Sequence, residues 1–400
     1  MMLFERCSVV FFLLSSTSMA LQWEKCTLHL NMKSTVCMIN EDVVCNITQN
    51  FVHIYGLSKN ANLGKNCKFL KIKEGKTLIL ENLIVTSDFP TIDHGNIFLR
   101  SINGVKLKKE FISYISVTRE FEMHITDSHF TGDTGLHMVD DLFFLMAREI
   151  KITVIESSFK NFMNFKSIFK IDRESRIKLS LINNIFAENF LGLGIVDLYC
   201  SSAYLRRMDM IIFESNQVHK NIAVNGSLFD VQSDGGSLNI SKNAFDSNVA
   251  HSIWNVRKSF KVKLNISVDN NTLSNNTCGY GMRLFGNIVR ITNEIHKNNT
   301  FMSHYFLSNN SSITNSKFQL YNISESKKCP LMNNIARVKN VTLLVVDEMT
   351  KIWVTERCHL DNNSDLIVEG KKNVTCPFCN LFMPTPEVEK AIPCPLCDFV

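Results

Sequence analysis

After its first twenty residues the chain has no apolar run that could cross a membrane as a helix. The longer runs, such as Leu142 to Ala147 and Val341 to Val346, fall far short of the roughly 18 residues a spanning helix needs. It also lacks a strong charge excess. Forty-three Lys and Arg against 38 Asp and Glu leave +5, far below the clustered basic charge of a nucleic-acid binder, though compatible with anionic glycans. Alanine is scarce and no apolar stripe is sustained at a 3.6-residue period, which argues against stacked helices. No residue constellation has the specificity of a catalytic or cofactor motif, so no cofactor is implied. What is present is apolar mass. Of the 400 residues 45% are hydrophobic and 20% charged, too apolar for disorder and sufficient for one or two cores.

Residues 1–20 carry Arg6, the apolar block Val9 to Leu14 and then Ser18-Met19-Ala20, the pattern of a signal peptide cut before Leu21. The remainder is expected to be secreted, with no transmembrane segment after cleavage. Two counts agree with an oxidising, extracellular destination. Of 13 Cys, Cys7 leaves with the signal and the other twelve can pair completely. Forty-two Asn and 58 Ser plus Thr in 400 positions give about 6 Asn-x-Ser/Thr sequons by chance, whereas 13 occur. They are Asn46, Asn225, Asn239, Asn265, Asn270, Asn275, Asn298, Asn309, Asn310, Asn322, Asn340, Asn362 and Asn373. Glycosylation is the favoured reading; the alternative is that an Asn-rich, Ser-rich repeat generates sequons for structural reasons.

A six-residue phrase recurs: Ile125 to Phe130, Val154 to Phe159, Leu181 to Phe186, Phe213 to Val218, Ile240 to Phe245, Val268 to Leu273 and Ile313 to Phe318, with an earlier copy at Ile79 to Ile84 and a weaker one ending at Ile295. Its fourth position reads Asn82, Ser128, Ser157, Asn184, Asn216, Asn243, Asn271, Asn293 and Ser316, always Ser or Asn, and its last position is always apolar. From Ser128 to Ser316 the spacing averages near 27 residues, a period that signals stacked supersecondary units. The segments are rich in Ile, Val, Phe, Thr and Asn, which favours strands. A coil of that length holds about three short strands, and coils stacked at about 4.8 Å place each residue over its counterpart one coil earlier. Stacked Asn or Ser would bond along the pile, and stacked Phe, Leu and Ile would fill it. Parallel crossovers are overwhelmingly right-handed. The expectation is therefore an all-β, right-handed parallel β-helix of roughly ten coils.

The segment Gly235-Gly-Ser-Leu-Asn-Ile-Ser-Lys-Asn-Ala-Phe-Asp-Ser-Asn248 resembles the Gly-Gly-small-aliphatic and Phe-x-x-Asn repeats of polymorphic outer-membrane-type adhesins and related pectate-lyase-like β-helix proteins. Phe186 to Asn189 and Phe213 to Asn216 repeat the second half. The resemblance covers about residues 75 to 320, and it implies the β-helix and, more weakly, adhesion.

The organisation read from this is a signal peptide over 1–20, a Cys-rich cap over 21–75, the solenoid over 76–345 and a second Cys-rich cap over 346–400. Caps would cover the open sheet edges at each end. Cys376-Pro-Phe-Cys379 and Cys394-Pro-Leu-Cys397 have nearly the spacing of a four-thiolate zinc site, but in a secreted chain a disulfide knot is preferred and no metal is expected. Only Cys200 and Cys278 fall within the repeats, where a mutual disulfide would have to reach across about three coils.

Asp127 and Glu156 share a column in successive coils and are the candidate carboxylate pair for a polysaccharide lyase or glycoside hydrolase. Against this, the same column is a polar bend filled elsewhere by Asn183, Ser215, Lys242, Asn270, Thr292 and Asn315. Arg257, Lys258, Lys261 and Lys263 form a basic run, read first as a solvated coil edge and second as a glycan stripe. The longest departure from the period lies between Phe186 and Phe213, with Leu191 to Gly194 and Arg206-Arg207 inside it, and is either a binding loop or a packed wing. Twelve of the 13 sequons lie from Asn225 onward, which leaves the N-terminal half bare for contact. The preferred function is a secreted glycoprotein that binds carbohydrate or a surface protein. The alternatives are a β-helix polysaccharide enzyme and a structural coat or matrix protein.

Overall fold

The structure is a computed structural model and describes residues 77–86, 92, 95–133, 140–200, 209–233, 235–258, 263–307 and 311–320. It also describes separate strands at Lys25–Thr27, Thr35–Ile39, Val44–Asn46, Phe51–Gly56, Asn62–Leu63, Leu331–Met332, Ile335–Lys339, Val341–Val345 and Leu366–Glu369. Among the described residues all regular elements are strands, and every named pairing is parallel, between residues one coil apart. The strands stacked from Asn96 to Thr314 form a parallel β-solenoid of about eight turns.

Its longest sheet stacks Asn96–Leu107, Ile112–Thr126, Phe143–Ile155, Met163–Ile182, Asp209–Glu214, Gly236–Ser241, Leu264–Asp269, Ile288–Thr292 and Ser311–Thr314 in order. The ladder continues on both sides. Thr35–Ile39 and Phe51–Gly56 lead into Thr77–Thr86, which pairs with Asn96–Leu107, and Ile335–Lys339 pairs with Ser311–Thr314.

Alternation decides which side chains enter. Ile97, Met123, Ile152, Leu179, Ile211, Leu238, Ile266 and Val289 form one buried column of this sheet. After the sheet comes a sharp corner, a strand of about three residues, and a second corner. Phe130, Phe159 and Phe186 stack along the short strands with ring centroids 5.2 and 5.3 Å apart and planes within 10°. This offset stacking places aromatic faces in van der Waals contact coil after coil.

Each corner uses one device. A residue in left-handed conformation breaks the strand, and the next residue turns its side chain inward. At the first corner the left-handed residues include Asp127, Glu156, Asn183, Ser215, Lys242, Asn270, Asn293 and Asn315, with φ between 47 and 57°. The residues after them, Ser128, Ser157, Asn184, Asn216, Asn243, Asn271, Glu294 and Ser316, are buried and bonded up the stack. The second corner repeats this with Glu188, Lys220, Ser247, Asn275 and Asn298 ahead of buried Asn189, Asn221, Asn248, Asn276 and Asn299.

There are thus two amide ladders, and the Phe-x-x-Asn phrase belongs to both: Phe213 to Asn216 makes the first corner, Phe186 to Asn189 and Phe245 to Asn248 the second. In the ladders Asn216 is fully used. Its carbonyl accepts from the backbone N–H and Nδ2 of Asn184, and its Nδ2 donates to Leu181 O and to the carbonyl of Asn243. A buried amide so satisfied avoids the 1–3 kcal/mol, roughly, that each orphaned polar group would cost.

Gly235-Gly236 closes the long way round. Gly236 has φ +108°, and a Cβ there would lie 2.1 Å from Asp209 O, so only glycine fits against the adjoining rung. Leu191 to Gly194 belongs to the strand Phe190–Cys200, where a Cβ on Gly194 would meet Ser227 O at 2.1 Å. That part of the long spacing is therefore solenoid wall. Arg206 and Arg207 lie outside the described residues.

Candidate functional site

The outer surface of the long sheet carries charged side chains on three consecutive strands. In Ile112–Thr126, Phe143–Ile155 and Met163–Ile182, the buried residues Phe121, Ile150 and Ile177 are flanked by outward residues in register: Glu120, Glu149 and Arg176 on one side, Glu122, Lys151 and Lys178 on the other. These six line a shallow, solvent-open depression.

Charge runs from acidic to basic along the stack. Glu120 accepts from Arg148 at 3.2 Å, and Glu122 pairs with Lys151 and, at 2.7 Å, with His124 Nε2. The hydrogen bonds from His124 and Lys151 hold the Glu122 carboxyl below its usual range. Arg176 and Lys178 have no ion-pair partner among the described residues, and the buried Nε of Arg176 has no acceptor. Such a surface can bind a partner with matching charge.

Asp127 and Glu156 are the left-handed residues of consecutive first corners, both exposed. The Asp127 carboxylate accepts from Ser101 Oγ at 2.9 Å, on the turn before it, while Glu156 lies on the turn after it. Their column includes Asn293 in place of Thr292. Arg257 of the basic run donates to Asp230 at 2.9 Å; Lys261 lies outside the described residues. Cys278 is a free, buried thiol between Ala250 and Phe301 in its column, its pKa pushed up to about 12 by burial, so it does not take part in the complete pairing of cysteines expected from the count. Cys376, Cys379, Cys394 and Cys397 lie outside the described residues. Among the described residues no three His, Cys, Asp or Glu side chains converge as a metal site.

Of the sequons, Asn225, Asn265, Asn270, Asn275 and Asn298 are exposed and Asn239 is half-buried. Asn309, Asn310, Asn322, Asn340, Asn362 and Asn373 lie outside the described residues, as does the side chain of Asn46. The buried ladder asparagines are a different set, and none of them begins a sequon. Asn270, Asn275 and Asn298 are left-handed corner residues, each followed by a ladder Asn and then by the Thr that starts the next strand. Corner chemistry therefore generates three of the sequons, since Asn tolerates left-handed φ better than most residues.

A second polar group is fully interior. Glu294 Oε1 accepts from the backbone N–H and Nδ2 of Asn271 at 2.9 and 2.8 Å, taking the place of a ladder amide. Tyr305 Oη lies 3.2 Å from Glu294 Oε2 and 3.2 Å from His296 Nε2. Burial pushes the Glu294 carboxyl up to about 8 and the His296 imidazole down to about 3. Reading the weak copy as Asn293 and Ile295 misses this group by one residue: the register puts Glu294 in the ladder and His296 in the column of Leu273 and Phe318. The signal was His296-x-x-Asn299, parallel to Phe245-x-x-Asn248. The earliest copy slips in the same way, with Leu83 and Val85 inward and Asn82 at the corner.

No family model, curated protein or solved structure matches this chain.

Proposed function

We propose that the protein is a secreted glycoprotein that works as a binding module, with the outer face of Ile112–Thr126, Phe143–Ile155 and Met163–Ile182 as its contact surface and carbohydrate or a surface protein as its partner. One observation carries this reading. The charged depression lies on turns with no sequon, whereas the outward positions of the same sheet become Asn239 and Asn265, both sequons, further along. Lys151, Lys178, Met210, Ser237 and Asn265 occupy one continuous outward column, so one sheet surface changes from charged contact to sites for sugar.

The column also supplies the test. Lys151→Asn creates Asn-Ile-Thr and Lys178→Asn creates Asn-Leu-Ser. Partner capture from glycan arrays and cell surfaces would be measured for the secreted variants. A sugar at 151 or 178 should abolish capture, with Lys151→Gln as the control without a sugar and Asn265→Gln leaving capture intact. Undiminished capture by the glycosylated variants would overturn the assignment of this face.

A further inference from the structure

We infer that the charged face pairs with the same face of a second copy of this chain, forming a twofold dimer with the two solenoids antiparallel. The inference rests on the contact surface proposed above and names its partner.

The reason is the order of the charges. The first of three consecutive rungs presents Glu120 and Glu122, the second Glu149 and Lys151, the third Arg176 and Lys178. Two such sheets can meet face to face about a twofold axis lying along the middle strand. Each residue of the first rung then opposes the residue in the same column of the partner's third rung. Glu120 meets Arg176, Glu122 meets Lys178, and symmetry repeats both pairs. On the axis, Glu149 faces Glu149 and Lys151 faces Lys151 of the other copy, with the opposite charge two residues along the strand, about 6.6 Å away, so the attraction comes from the four outer pairs. The acidic rung is only partly neutralised within the chain, since Glu120 remains 67% exposed beside Arg148. The basic rung has no internal counter-charge among the described residues. A second copy supplies that counter-charge to the guanidinium of Arg176 and the ammonium of Lys178. An arbitrary basic ligand would satisfy the first rung and oppose the third, and an arbitrary acidic one the reverse. A self-complementary patch is what a closed homodimer requires.

The sequons bound the contact. Asn239 and Asn265 lie two and three rungs beyond Arg176 and Lys178, so sugar there would limit the paired surface to the rungs around the charged centre.

The experiment is sedimentation of the secreted, glycosylated chain with two double variants, Glu120→Lys with Glu122→Lys, and Arg176→Glu with Lys178→Glu. Wild type should dimerise and dissociate as salt rises, because exposed pairs are screened. Each double variant alone should be monomeric, with affinity reduced at least about tenfold. Mixed, the two should form a heterodimer, because a face with five basic residues of six then meets one with five acidic residues of six. That recovery also excludes misfolding as the cause of the loss. A monomeric wild type, or no heterodimer from two variants with wild-type circular dichroism, would overturn the inference. If Lys151→Asn still blocks partner capture in that case, the contact surface stands and only the second copy is wrong.

Discussion

The turns before Cys200 and those after Asp209 share one fold but are held differently. The earlier ones use long strands, up to the 20 residues of Met163–Ile182, around a dense aromatic stack in which Phe143 and Phe169 lie 4.9 Å apart and meet Phe159 edge-on. Their first-corner ladder begins with hydroxyls, Ser128 and Ser157. The later ones use shorter strands and carry two ladders built mainly of amides, from Asn216 and Asn221 onward, with Glu294 and Ser316 completing the first. Hydrocarbon filling tolerates loose corners because it is non-directional, whereas amide ladders demand fixed corners and repay them with satisfied hydrogen bonds. Sequons and corner asparagines accumulate in the second region, and a charged, bare outer face remains in the first.

The sharpest way to break this contrast is to empty each region of its own support. Phe159→Ala removes the ring between Phe130 and Phe186 and should cost about 4 kcal/mol in chemical denaturation. A loss near 1 kcal/mol would mean that the aromatic column does not hold the early turns. Asn216→Ala removes the partner of Asn184 N and of Leu181 O and should cost about 3 kcal/mol, while Ser157→Ala, which removes one hydroxyl that accepts from Ser128 N, should cost about 1 kcal/mol. Equal losses in the two ladders would erase the distinction.

A third measurement sharpens it with pH. The Glu294 carboxyl is raised from 4.5 to about 8, so its contribution is fully present below about 4.5 and is lost as pH rises through 8. The His296 imidazole is lowered from 6.5 to about 3, so its contribution is present above about 6.5 and is lost as pH falls toward 3. The two slopes oppose each other between about 4.5 and 6.5 and give a plateau there; from 6.5 to 8 only the Glu294 loss remains. Glu294→Gln keeps the carbonyl that Asn271 needs and removes the titration. The stability of wild type relative to this variant should fall by at most about 1.4 kcal/mol per pH unit toward pH 8. A pH-independent difference would show that the carboxyl does not stay protonated in the ladder.

Much of the fold was legible because stacking in register makes the sequence repeat what the structure repeats. Asn184, Asn216, Asn243 and Asn271 were visible as a column, and Phe130, Phe159 and Phe186 as the apolar column beside it. The second ladder was harder to see. Its corners use the same apolar-x-x-Asn phrase as the first, and the two were merged until the coil separated Asn216 from Asn221. Glu294 and His296 were missed because a column read as Ser or Asn has no place for an acid, although a protonated carboxyl presents the same carbonyl as an amide.

The sequence by itself determined a parallel stack of strands with polar corners, since a period near 27 residues with alternating apolar positions can bury its apolar face only on its own neighbours. It also determined which asparagines begin sequons. Only the tertiary structure decided which residues share a face. Glu120, Glu149 and Arg176 are each about one coil apart in the chain, and nothing local marks them as neighbours. Stacking brings them to about 4.8 Å spacing and turns three unrelated charges into one graded surface, because the register of a parallel sheet is fixed by the buried residues between them and not by the charges themselves.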